Sequence, residues 1–143
     1  MRINGHWKLC DDGIMRPMIR VSVLSAAGAW HQEEFLLDTG ADNTVFTREL
    51  FDALELPGQT RDFALAGVGG QSACLAVATR LVVHCDQGAP VSFKGEYASH
   101  TVAKALDESI LGRDILQHFA TIVDQPANTL CLLKGGHRYT IQP

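Results

Sequence analysis

Short β-prone runs, each closed off by Gly, Pro, Asn or Asp, recur along this chain and leave little room for long helices. Met18 to Leu24 (MIRVSVL) alternates and is rich in β-branched residues, Ser25 to Ala29 is a turn, and Trp30 to Asp38 (WHQEEFLLD) returns, which reads as a hairpin. Residues 61–85 read as two strands around the glycine-rich tip Gly67-Val68-Gly69-Gly70. Residues 89–99 supply another strand, residues 120–136 read as strand, turn and strand, and the closing HRYTIQP reads as a last strand. Helical propensity rises only in FDALELPG, where Pro57-Gly58 stops it, and over residues 109–119, where Ile110, Leu111, Ile115, Leu116 and Phe119 recur at helical spacing. The expectation is a mainly β domain, with Ile115, Leu116 and Phe119 in its core.

The length of 143 residues suits one domain able to bury roughly two-thirds of its unfolded surface. Its 46% hydrophobic and 20% charged residues are those of an ordinary globular protein. The twelve Lys and Arg are scattered and the formal charge is −4, so neither nucleic acid nor an anionic membrane is expected as a partner. The opening MRINGHW lacks the pattern of a secretory signal, and no stretch approaches the roughly eighteen apolar residues of a membrane helix; a cytoplasmic location is the expectation. Cys10, Cys74, Cys85 and Cys131 form no Cys-x-x-Cys pair and the six His are dispersed, which favours reduced thiols over a metal site; no metal or cofactor is expected.

The apolar run Phe35-Leu36-Leu37 leads straight into Asp38-Thr39-Gly40-Ala41-Asp42. A carboxylate at the end of a buried strand is costly unless it is neutralised, paired or employed. Read as structure, Asp38 is an Asx turn at a strand end. Read as chemistry, its carboxylate faces a cleft, the Thr39 hydroxyl locks the loop, and Gly40 lets backbone and substrate approach closely. Two elements accompany it. Ile110-Leu111-Gly112-Arg113-Asp114 runs an apolar pair into a glycine that permits close packing on the loop, and residues 67–70 make either a plain hairpin loop or a flap.

Together and in this order, Leu37 to Asp42, Gly67 to Gly70 and Ile110 to Arg113 resemble the retropepsin-type aspartic proteases: the retroviral proteases, the DNA-damage-inducible protease domains and their bacterial relatives. The resemblance spans about residues 16–134, with Arg16-Pro17 opening the strand before the loop, an N-terminal arm over 1–15 and a tail over 135–143. It implies a single domain over 1–143 with an all-β, retropepsin-like acid protease fold: a closed or partly open β-barrel with one short C-terminal helix and a flap hairpin.

The activity implied is hydrolysis of peptide bonds by two carboxylates that share one proton around a water. The chain carries one Asp-Thr-Gly, and no other Asp is followed by Thr-Gly or Ser-Gly, so the resemblance implies a homodimer with Asp38 from each subunit at the axis, acting on a peptide or protein substrate. By position, Thr39 supports the dyad by a hydrogen bond across the axis, and Gly40 presents its carbonyl to the peptide. Ala41 and Asp42 contact substrate, and Asp42 also pairs with Arg113 beside Gly112. Gly67, Val68, Gly69 and Gly70 close over the substrate, and Arg16 reaches Asp42 of the other subunit. Ala41 stands where pepsin-like lobes usually have Ser, which implies a weakly acid optimum. The alternative is a non-catalytic peptide-binding or assembly module that keeps the same fold.

Overall fold

The structure, a computed structural model, describes residues 1–67 and 70–136, with side chains described there except for 61–64 and 67. Its elements run β1 (Arg2–Asn4), β2 (His6–Leu9), β3 (Met15–Leu24), β4 (Trp30–Leu37), β5 (Val45–Phe46), α1 (Arg48–Leu54), β6 (Gly58–Gly67) and β7 (Gly70–Val83). They continue with β8 (Val91–His100), β9 (Ser109–Leu111), α2 (Arg113–Leu116), β10 (Phe119–Asp124) and β11 (Thr129–Lys134).

Alternation decides the first hairpin. Ile19, Val21 and Val23 of β3 and Phe35 and Leu37 of β4 point to one side and are buried, which fixes the register at Met18↔Leu36 through Leu24↔Trp30. The turn between them is held by the Ser25 N–H donating to the Ala29 carbonyl at 2.8 Å, with Gly28 at a φ of +80°.

Eight strands form one sheet in the order β2-β3-β4-β9-β5-β8-β7-β6, and β3 also pairs with β7 through Val21↔Val83 to Val23↔Leu81. That extra pairing closes the strands from β3 round to β7 into a barrel, while β2 and β6 stay outside the closure. The second sheet is β1-β11-β10. Its Ile3, Leu130 and Leu132 pack into the same apolar core as Phe35, Phe46, Leu54 and Leu111 of the barrel side. The expected all-β fold, a closed or partly open barrel, is therefore what the chain forms, closed from β3 round to β7.

Two expectations need correction. Two short helices are present rather than one, because Thr47 caps α1 by accepting from the Leu50 N–H at 3.1 Å, and Glu55 ends it in the left-handed region. The helical spacing over 109–119 survives as the single turn Arg113–Leu116. Ile110 and Leu111 are drawn into parallel pairing with Leu36 and Leu37, and Phe119 opens β10, so sheet hydrogen bonds override the periodicity at both ends. Ile115 and Leu116 are buried as expected, and Phe119 is half-buried against the core. The last-strand reading of HRYTIQP falls outside the described residues. No disulfide joins the cysteines among the described residues, and no described helix is long and apolar enough to cross a membrane.

Candidate active site

The Asp38 loop is built where two parallel strands end together. β4 and β9 run side by side from Phe35↔Ser109 to Leu37↔Leu111, and the Asp38 N–H extends the ladder by donating to the Leu111 carbonyl at 3.2 Å. Asp38 then turns the chain: its Oδ1 accepts from the Gly40 N–H at 2.8 Å, and its carbonyl accepts from Ala41 N–H at 3.3 Å. The Asx turn and the presented carboxylate thus coexist in one residue, half-buried at a strand end. Thr39, Gly40 and Asp42 are exposed and Ala41 is half-buried. A Cβ on Gly40 would stand 3.1 Å from Asp38 Oδ1, close enough to crowd the carboxylate.

The segment after β9 clasps this loop from below. The Arg113 and Asp114 N–H groups donate to the Ala41 and Asp42 carbonyls at 2.8 and 3.1 Å, and the Arg113 guanidinium forms an ion pair with the Asp42 carboxylate. Both side chains of that pair are exposed, so its energetic worth is small. Gly112 is obligatory: a Cβ there would lie 2.4 Å from the Asn43 carbonyl carbon and oxygen, which are backbone and have nowhere to go.

The strongest tie is one the sequence reading passed over. The Asp114 carboxylate accepts from the Thr44 N–H at 3.0 Å, the Thr44 hydroxyl at 2.7 Å and the Ile115 N–H at 2.9 Å. Thr44 is fully buried, and its Oγ1 in turn accepts from the Gly112 N–H at 3.1 Å. One carboxylate and one hydroxyl so lock the end of the Asp38 loop to the start of α2. The available signal was an acidic residue in a first helical turn, but its partner lies 70 positions away. Burial, with the Asp114 charge adding to it, pushes the Tyr97 phenol up to about 12.

The two arms of the β6–β7 hairpin approach each other to the pair Gly67↔Gly70, with Gly70 at a φ of +103°. Val68 and Gly69, the centre of the expected flap, lie outside the described residues. Arg16 is engaged within its own chain: Asp12 accepts from both guanidinium ends at 2.8 and 2.6 Å, and that contact holds the Asp12 carboxyl down at about 2.

His100 closes β8. It is buried, and burial pushes its imidazole below the ordinary 6.5. The unfolded chain therefore takes up this proton first, so stability is complete above about pH 6.5 and declines as pH falls below it. Glu33, pushed up chiefly by burial and further by the Glu108 charge, has the opposite sign: its contribution is present below 4.5 and lost as pH rises through its folded value. Urea midpoints taken from about pH 7.5 down to about pH 5.5 should fall in the wild type and fall less in His100→Leu. Equal declines in both would remove His100 from the effect.

The Asp-Thr-Gly aspartate, Asx-turned at the end of paired parallel strands, is thus clasped by Gly112-Arg113-Asp114. The chain matches the family model for the retroviral aspartyl protease over residues 14–123 and belongs to that family. No curated protein matches it. Among solved structures it is similar to the EIAV protease complexed with the inhibitor HBY-793, at 26% identity and TM-score 0.51 over 71% of this chain and 86% of that one. It is also similar to a retropepsin-like aspartic protease from Rickettsia conorii, at 21% identity and TM-score 0.53 over 92% and 88%. The second likeness speaks for the fold alone.

Proposed function

We propose that this chain is an aspartic endopeptidase working as a two-fold homodimer, with Asp38 of each subunit meeting at the axis. The observation that carries this reading is the Asp38 loop: a half-buried carboxylate at a rigid strand end, one oxygen held by the Gly40 N–H, in a sequence with no second Asp-Thr-Gly. Two such carboxylates brought together cannot both ionise freely. One serves as base toward a water while the other keeps the proton and polarises the scissile carbonyl, the pattern for which aspartic-protease dyads are themselves the reference case.

The remaining roles follow from position. Thr39 reaches across the axis to steady the dyad, and the Gly40 carbonyl, Ala41 and Asp42 meet the peptide main chain. The Asp42–Arg113 pair holds that wall of the cleft, with Gly112 allowing the close approach, and the tip over residues 67–70 covers the substrate and excludes water. The chain is read as one domain, in keeping with the core that Ile3, Leu130 and Leu132 share with the barrel.

Assembly is tested by dilution. A site divided between two subunits loses specific activity as the protein is diluted through its dimer dissociation constant, in step with a shift from dimer to monomer by sedimentation. Specific activity that stays constant in a strictly monomeric sample removes the shared dyad.

A further inference from the structure

A groove of about 680 Å³ opens where the second sheet meets the barrel. It is lined by Val91 and Phe93 from the start of β8, by His118 and Phe119 from the junction of α2 and β10, and by Lys134 and Gly135 from the end of β11 and just after it. Register brings the last two pairs together: β10 and β11 run antiparallel with Phe119↔Lys134, so the first residue of one strand stands beside the last of the other.

The apolar part of this lining is core left open. Val91, Phe93 and Phe119 pack against the main core yet stay half-buried. The Phe93 ring meets Phe119 edge-on at 5.9 Å between centroids and lies tilted on His118 at 5.4 Å. Aromatic surface of this kind gains by leaving water, and an apolar strip rimmed by polar residues marks a place where something docks.

We propose that the groove receives this chain's own residues 137–143 (HRYTIQP), which fasten the second sheet to β8. Lys134 and Gly135 of the lining stand just ahead of this segment, with only Gly136 between, and Gly136 at a φ of +84° supplies a bend that a residue with a side chain resists. Seven extended residues reach about 23 Å, ample to cross a groove of this size. In extended form Tyr139 and Ile141 fall on one side of the segment and Arg138, Thr140 and Gln142 on the other, so two apolar side chains are offered to Phe93 and Phe119 together. Tethering favours this occupant over a second molecule. A segment attached at the groove's own margin acts at a high effective concentration, and even a weak contact is filled from within first.

The test places the photoreactive residue p-benzoyl-phenylalanine at Tyr139 of the full chain and maps its crosslinks by peptide mass spectrometry. Crosslinks within one chain to residues 91–93 or 118–119 are expected. Crosslinks between two chains seat a second copy in the groove and overturn the proposal; crosslinks elsewhere in the chain, or none, overturn it too. A second measurement avoids the bulk of the benzoyl group. In the double variant Tyr139→Ser, Ile141→Ser, amide hydrogen exchange over residues 91–94 and 118–120 should be about tenfold faster than in the wild type, with the β3–β4 hairpin unchanged. Equal rates in the two proteins overturn the proposal, as does faster exchange throughout the chain, which signals general loosening rather than a docked segment.

Discussion

Asp38→Asn should abolish the proposed peptide cleavage, with kcat expected to fall by about 10^4-fold or to background, while the oligomeric state and melting temperature stay as in the wild type. The substitution is nearly isosteric and its side-chain oxygen can still accept from the Gly40 N–H, so the 2.8 Å contact that shapes the loop survives. What disappears is a group that can hold and release a proton beside the water. Mass-spectrometric analysis of a broad peptide library digested by both proteins, with sedimentation run alongside, separates chemistry from assembly. Cleavage that persists in the variant takes Asp38 out of the mechanism.

The second large effect is on stability. Asp114→Ala removes the acceptor for the Thr44 N–H, the Thr44 hydroxyl and the Ile115 N–H at once, and Thr44 is too deeply buried for water to replace it. An orphaned buried donor costs about 1–3 kcal/mol, so a loss of about 3 kcal/mol is expected in urea unfolding, seen as a lower midpoint with an unchanged slope. Asp114→Asn keeps an acceptor oxygen and should lose markedly less. Activity should fall with the Ala variant even below its melting temperature, because the Asp38 loop loses its anchor at Thr44. A midpoint within experimental error of the wild type would mean that the clasp is held by the backbone contacts at Ala41 and Asp42 alone.

The fold class was legible because its signals are local. The β-branched run Met18 to Leu24, the glycines Gly67 and Gly70 and Pro57-Gly58 after a helical run each act within a few residues, and the structure has a strand, a hairpin pairing and a helix end there. The helical spacing over 109–119 misled for the same reason. Period alone ignores that Ile110 and Leu111 can be claimed by β4, whose ladder repays more than another helical turn would. Asp38, Thr39, Gly40, Asp42, Gly112 and Arg113 were nameable as candidates from their motifs, and the structure brings Asp42 and Arg113 together as an ion pair.

The sequence by itself determined a β-rich chain with one Asp-Thr-Gly loop, the feature on which the proposed homodimer rests. Only the tertiary structure decided what holds that loop. Asp114 reaches Thr44 across 70 positions, Gly112 is excluded from bearing a side chain by the Asn43 backbone, and His100 is brought across from Cys74. The physical reason is common to all three: burial and hydrogen bonding depend on which strands become neighbours, and that is settled when the barrel closes through β3 and β7.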